Sequence, residues 1–135
     1  MPKQYINPPG LSRSAYYTRI LSITRPSRLI YIAGQVPSDE RAKPVHVGDI
    51  RAQYIAVLDA LTVQLEAAGA TWDDVAFRRV YAIDVPAFVE RCVRDDTVPV
   101  PWARERPSPS TLIGVTALAN PDFLIELEIA AVIAD

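Results

Sequence analysis

Residues 49–69 read DIRAQYIAVLDALTVQLEAAG. Ile50, Tyr54, Val57, Leu58, Leu61, Leu65 and Ala68 recur every three or four residues, so a helix of 3.6 residues per turn gathers them into one apolar stripe. Gly48 or Asp49 can cap the start, Asp49 also suits the positive end of the helix dipole, and Gly69 stands where a left-handed C-terminal cap is expected. A helix of about 20 residues is roughly 30 Å long, comparable to the diameter of a small domain. The rest of the chain must therefore supply the surface on which this stripe lies.

Working outward toward the N-terminus, residues 38–47 are rich in charge and proline and predict an exposed loop, with His46 solvated. Residues 29–33, LIYIA, are short, β-branched and aromatic, and lead into Gly34-Gln35-Val36-Pro37, where the chain leaves the sheet. Residues 15–24 predict another strand, and Arg25-Pro26-Ser27 a turn, so the two strands are expected to form a hairpin. Residues 1–14 carry Pro2, Pro8, Pro9 and Gly10 and predict an extended arm without regular pairing.

Toward the C-terminus, residues 71–75 predict one capped turn, with Trp72 closing the end of the core, and residues 76–84 a strand. Successive strand side chains point to opposite faces, so Arg78 and Arg79 cannot both face solvent if one face carries the helix. Pro86 opens a shorter helix with Phe88, Val89, Cys92 and Val93 on one face, which makes Cys92 a small core residue. Residues 97–109 hold four prolines and read as a loop. Residues 110–118 and 123–134 are strands. In the last one, Ile125, Leu127, Ile129, Ala131 and Ile133 form an apolar face for the helices and leave Glu126 and Glu128 on the other.

The resulting order is β-β-α-β-α-β-β: a single α+β domain over residues 1–135, a mixed sheet with both helices packed on one face. The second sheet face would expose Tyr, Val and Ala positions, so it is expected to be covered by another copy of the chain. The composition bounds what such a domain does. Of 135 residues half are hydrophobic, enough for one core without disulfides. A net charge of −2, with fourteen Lys and Arg residues not gathered into a block, argues against nucleic acid as a partner. One His and one Cys cannot build a zinc ligand set, which leaves only a carboxylate-only magnesium site open, and with no Gly-rich phosphate loop no nucleotide cofactor is expected. With no charged-then-apolar leader and no long apolar run, membrane insertion and export lack support, and a cytoplasmic location is the default expectation.

Four motifs in order carry a resemblance. Residues 31–37, YIAGQVP, have Ala33 where a V-Y-[VIT]-S-G-Q-[IVL]-P pattern has Ser; Asp49-Ile50 to Gln53 fits D-I-x-x-Q; residues 65–75 fit L-E-A-A-G-x-x-x-D-D-V; and residues 125–128, IELE, fit V-E-I-E. From about Ile6 to Ala134 the chain resembles the RidA/YjgF family of reactive-intermediate deaminases. The resemblance implies a homotrimer of chorismate-mutase-like subunits whose sheets form a central barrel, with clefts between neighbours that bind a small-molecule ligand. It implies, further, hydrolysis of an amino-acid-derived imine or enamine to ketoacid and ammonia without a cofactor. An Arg before the penultimate strand pairs with the substrate carboxylate, and the first Glu of V-E-I-E positions and activates water.

Carried onto this chain residue by residue, the resemblance makes Glu126 the candidate catalytic residue, with a cross-subunit hydrogen-bond or ion-pair partner of Arg78 or Arg79 as the plain alternative. Tyr17, Ala33, Gly34, Ser110, Thr111 and Arg106 are the candidate substrate-binding residues, and no metal ligands are implied. The departure is at the family's P-A-R-S-T, matched by Ser108-Pro109-Ser110-Thr111: its Arg falls on Ser110, and a hydroxyl cannot supply a charged fork. Losing a charge-assisted pair costs about 1.5–3 kcal/mol, so 2-aminoacrylate is expected to be a poor substrate. Arg104 or Arg106 could reach back from the Pro-rich loop, and Arg78 or Arg79 could fill the vacancy. The expected function is a deaminase-like hydrolase with an altered substrate; the alternative is a trimer that binds a small metabolite without chemistry.

Overall fold

Helix α1 spans Ile50–Ala67 in a computed structural model that describes residues 2–134; Met1, the first residue of the expected arm, and Asp135 lie outside the described residues. Asp49 is the N-cap, its carboxylate accepting from Ala52 N at 3.0 Å, and Gly69 adopts φ +76°, which a side chain would oppose. The stripe buries Ile50, Tyr54, Val57, Leu58, Leu61 and Leu65, together with Gln53, while Ala68 is the half-buried C-cap. Arg28 donates to the Ala68 carbonyl at the negative end of the helix.

In front of α1 lie β1 (Lys3–Ile6), β2 (Ile20–Ile23) and β3 (Pro26–Gln35); after it come β4 (Val75–Ala82), α2 (Val85–Phe88), β5 (Ser110–Gly114) and β6 (Ile125–Ala134). Four strands form one mixed sheet in the order β3-β6-β4-β5, antiparallel except for the β4–β5 pair. Residues Ile125, Leu127, Ile129 and Ala131 of β6 are buried against α1, and fully burying a side chain such as Leu127 contributes about 1.5–3 kcal/mol. Both helices lie on that face. Trp72 closes the end of the core from a capped 3-10 turn, Trp72–Asp74, as its position after Gly69 implied. Among the described residues no helix is long and apolar enough to cross a membrane.

Two N-terminal expectations are corrected. The arm contains β1, which pairs with β2 as a separate two-stranded sheet, held by Thr24 N donating to the Pro2 carbonyl and by Lys3 against Asp74 at 3.5 Å. Nor do β2 and β3 form a hairpin, since β3 pairs with β6 instead. The break falls at Arg25, whose φ of +52° swings the chain out of one sheet before Pro26 begins the other. The strand expected over residues 15–24 starts only at Ile20, because residues 16–18 are bonded to the 107–108 loop and to a buried side chain.

Gln53 explains why a polar residue can interrupt the stripe. Fully buried, its amide donates to the carbonyls of Val45 (3.1 Å) and Asp122 (2.8 Å) and accepts from Leu124 N (2.9 Å). One side chain thereby ties the loop before α1 and the turn before β6 to the helix.

Candidate functional site

The parallel pairing of β4 with β5 sets Arg78 opposite Ser110 and Arg79 opposite Thr111. Paired residues on neighbouring strands share a face, so Ser110 points to the helix side and Thr111 to the open side of the sheet. On the helix side, Tyr17, Tyr54, Arg78, Phe88, Ser110 and Leu112 line a cavity of about 180 Å³. Tyr17 is held there by its neighbour: Thr18 N donates to the Ser108 carbonyl at 3.4 Å and Thr18 Oγ1 to the Pro107 carbonyl at 2.6 Å. The far wall comes from Val89 and Val93, which belong to a π-helical turn, Val89–Val93, that continues α2.

Arg78 is 5 % exposed. Its Nε donates to Ser108 Oγ at 2.9 Å, and its Nη2 to the carbonyls of Tyr16 (2.7 Å) and Ser108 (3.2 Å). Its guanidinium carbon lies 4.2 Å from the centroid of the Trp102 ring. Burial lowers the Arg78 pKa and pushes the Tyr54 hydroxyl up to about 12. Of the two adjacent arginines, Arg78 thus turns inside and Arg79 outside.

On the open face, β3 carries a bulge between Ile32 and Gln35 as it pairs with β6. A bulge re-aims the strand. Here it brings the Gly34 backbone so close to Glu126 that a Cβ on Gly34 would overlap the Glu126 carboxylate. Glu126 has neither a hydrogen bond nor an ion pair among the described residues, whereas Glu128 accepts from Tyr81 Oη at 2.7 Å and from Arg79 Nη1 at 3.1 Å. The Tyr81 hydrogen bond, then Arg79, holds the Glu128 carboxyl below its ordinary range, and the same bond raises the Tyr81 pKa. Within one chain the Arg79 partner is therefore Glu128, and Glu126 has no partner among the described residues.

One chain consequently splits the sequence-predicted residues into groups. Tyr17 and Ser110 meet in the helix-side cavity, while Ala33, Gly34, Thr111 and Glu126 belong to the open side. Arg106 joins neither: it lies beside Tyr5, Trp72 and Asp73 at another small cavity. Arg104 Nη2 donates to the carbonyls of Asp96 (3.2 Å) and Val98 (2.7 Å). Cys92 is buried, with its thiol pushed up to about 12 by burial, and His46 is exposed. Sequence reasoning missed Tyr54 and Phe88 as cavity walls and Trp102 as the lid on Arg78, since these neighbours are far apart in the chain.

Comparisons with known proteins agree with the motifs. Residues 11–133 match the family model described as Endoribonuclease L-PSP. The chain is 32 % identical over 130 residues to the 3-aminoacrylate deaminase RutC of Acinetobacter baylyi, covering 94 % of this chain and 95 % of that protein. It also superposes on the crystal structure of YyfB from Yersinia pestis, a protein of unknown function of the conserved Rid family, with a TM-score of 0.83 at 30 % identity, covering 98 % of this chain and 100 % of that one. Rv2704 from Mycobacterium tuberculosis, of the YjgF/YER057c/UK114 family, gives a TM-score of 0.55 at 28 % identity over 87 % of this chain and 86 % of that one.

Proposed function

The chain belongs to the Endoribonuclease L-PSP family, the RidA/YjgF group whose motifs it carries, and from that premise we propose a hydrolase that deaminates a small imine- or enamine-type metabolite at a cleft completed by a second copy of the chain. The observation that carries this reading is the separation of the Ser110 cavity from the free Glu126 carboxylate, on opposite faces of one sheet. A second subunit is needed to bring the two together. The open face supports assembly, because it leaves Tyr31 80 % exposed at a depression of about 490 Å³ and Leu29, two residues before it on β3, 57 % exposed. A homotrimer with the sheets turned inward covers that surface.

In this mechanism an enamine first takes a proton at carbon to become the imine. Water adds to the C=N carbon, Glu126 accepts the proton of that water and returns it to nitrogen, and ammonia leaves as the carbonyl product forms. Imine plus water gives carbonyl compound plus ammonia, and no cofactor takes part. An unpaired carboxylate fits this role better than Glu128, whose oxygen is already held by Tyr81 and Arg79. Ser110 offers the substrate a hydroxyl where the family pattern has Arg, so 2-aminoacrylate is a poor substrate. The enamine named for the Acinetobacter relative, 3-aminoacrylate, is the first candidate to test. An endoribonuclease role is not proposed, given the net charge of −2 and one exposed His.

The test is ammonia release from freshly generated 3-aminoacrylate, 2-aminoacrylate and branched-chain imines, with Glu126→Gln as control. Turnover of one of them that Glu126→Gln lowers at least about 100-fold supports the enzyme, in line with the contribution of a general base. Tight binding without turnover of any of them favours the metabolite-binding trimer instead.

A further inference from the structure

Two glutamines meet where β3 passes under α1, behind the strand segment that faces Glu126. Gln64, on a half-buried flank of α1, donates from Nε2 to Gln35 Oε1 at 2.7 Å and to the Ala60 carbonyl at 3.3 Å, and Gln35 donates from its own Nε2 to the Val36 carbonyl at 2.8 Å. Gln35 belongs to the YIAGQVP stretch. Gln64 falls between the D-I-x-x-Q and L-E-A-A-G motifs of α1, so the family pattern gives it no part.

The contact matters because of the bulge. Ile32 pairs with Ile129 and Gln35 with Leu127, so three steps along β3 span two along β6. Ile129 and Leu127 are buried in the core with α1, and paired residues share a face, so Ile32 and Gln35 both turn toward the helix although an odd number of steps separates them. Strict alternation from Ile32 would turn Gly34 toward the helix and Gln35 to the open face. The extra residue reverses this, sending Gln35 inward and leaving the Gly34 backbone against the Glu126 carboxylate. Ala33, Gly34 and Val36 carry no polar side-chain atoms. Gln35 is therefore the one side chain of the bulged segment that hydrogen-bonds another element, and Gln64 is the group that meets it.

We infer that Gln64 is a positioning residue for Glu126: by holding Gln35 on the helix side it pins the bulge that sets the Gly34 backbone against the carboxylate. The inference rests on the reading of Glu126 as the base, and it adds a residue of α1 that acts on that base through β3 without touching the substrate. Loss of the bond frees the bulge, and the carboxylate loses the wall that limits its rotamers.

Gln64→Met in the full chain tests it, since it keeps the length and helix preference of the side chain and removes the amide. With freshly generated 3-aminoacrylate, kcat is expected to fall about tenfold at nearly unchanged KM, a smaller loss than the roughly 100-fold of a 1 Å misplacement. In a Gly34→Ala background, where the carboxylate is already displaced, the same change is expected to cost less than about twofold. Losses that multiply, or a raised KM at native kcat, overturn the assignment. Carboxyl-carbon NMR reads the position without turnover: Gln64→Met is expected to shift or broaden the Glu126 resonance and leave that of Glu128, held by Tyr81 and Arg79, in place. An unmoved Glu126 resonance, or equal changes at both carboxyls, refutes the pin. Should Gln64→Met fail to fold, Gln35→Met breaks the same bond from the strand side and is held to the same outcomes. A moved Glu126 resonance in a protein that turns over none of the imines keeps the pin and removes the enzyme, while turnover that Gln64→Met leaves at native kcat does the reverse.

Discussion

Replacing Gly34 by Ala adds one methyl group at the point where β3 and Glu126 are closest. A Cβ there would overlap Oε2 of Glu126 and lie 3.0 Å from its Cδ and 3.3 Å from its Cγ. The obstacle is the far end of a flexible side chain, so the carboxylate yields and the backbone need not. Turning Glu126 off its rotamer costs about 0.5–1.5 kcal/mol, which leaves the fold intact. The catalytic consequence is larger, because restoring ordinary contact distance moves the carboxylate by more than about 1 Å, and a misplacement of even about 1 Å costs on the order of 100-fold in rate. Gly34→Ala is therefore expected to lower kcat about 100-fold with little change in KM, while thermal unfolding shows a loss of no more than about 1.5 kcal/mol. Native kcat in Gly34→Ala would mean that the position of Glu126 does not matter to the reaction. A stability loss well above that figure would mean that the backbone, rather than the side chain, gives way.

Other expectations follow from the same geometry. Leu61→Ala, at a fully buried position in the middle of α1, should destabilise the protein by about 2–5 kcal/mol in urea denaturation, and a change under 1 kcal/mol would contradict the packing described. Gln53→Leu should also destabilise it, since the carbonyls of Val45 and Asp122 and the N–H of Leu124 lose their partner, and faster hydrogen exchange at Leu124 would locate the damage. Tyr81→Phe should raise the Glu128 pKa toward its ordinary value, read by NMR titration of the carboxyl carbon. Because the folded-state pKa of Glu128 is depressed, its contribution to stability is present above the unfolded value of about 4.3 and lost as pH falls through the folded one. Tyr81→Phe therefore shrinks this contribution on the acid side, and an unchanged Glu128 titration would show that the Tyr81 bond is not formed in solution.

The parts of the fold legible in the sequence are those set by local periodicity. Helix α1, its Asp49 cap, the Gly69 stop and the two faces of β6 all follow from spacing, because each is determined by neighbours within a turn or by alternation along one strand. Strand β1 was not legible, since KQYI becomes a strand only through pairing with Ile20–Ile23. The expected β2–β3 hairpin failed for a related reason: Arg25 looks like an ordinary turn residue, but the two strands it joins find different partners. At the candidate site, alternation required Arg78 and Arg79 to part, yet nothing local told which turned inward. That choice is made by Ser108, the Tyr16 carbonyl and Trp102, groups 24 or more residues away that converge only after β5 docks beside β4. The split between Ser110 and Glu126 was likewise hidden, because it depends on the strand order β3-β6-β4-β5.

The most direct test of a site shared between subunits is to mix two inactive variants. Ser110→Phe fills the helix-side cavity and keeps Glu126; Glu126→Gln keeps the cavity and loses the base. Unfolded together and refolded at equal amounts, they should recover about one quarter of native turnover, the fraction of head-to-tail boundaries in a closed ring at which an intact cavity faces an intact Glu126. Recovery at that level, with each variant inactive alone, is the result predicted. A mixture as inactive as its parts would mean that no neighbour supplies the missing half.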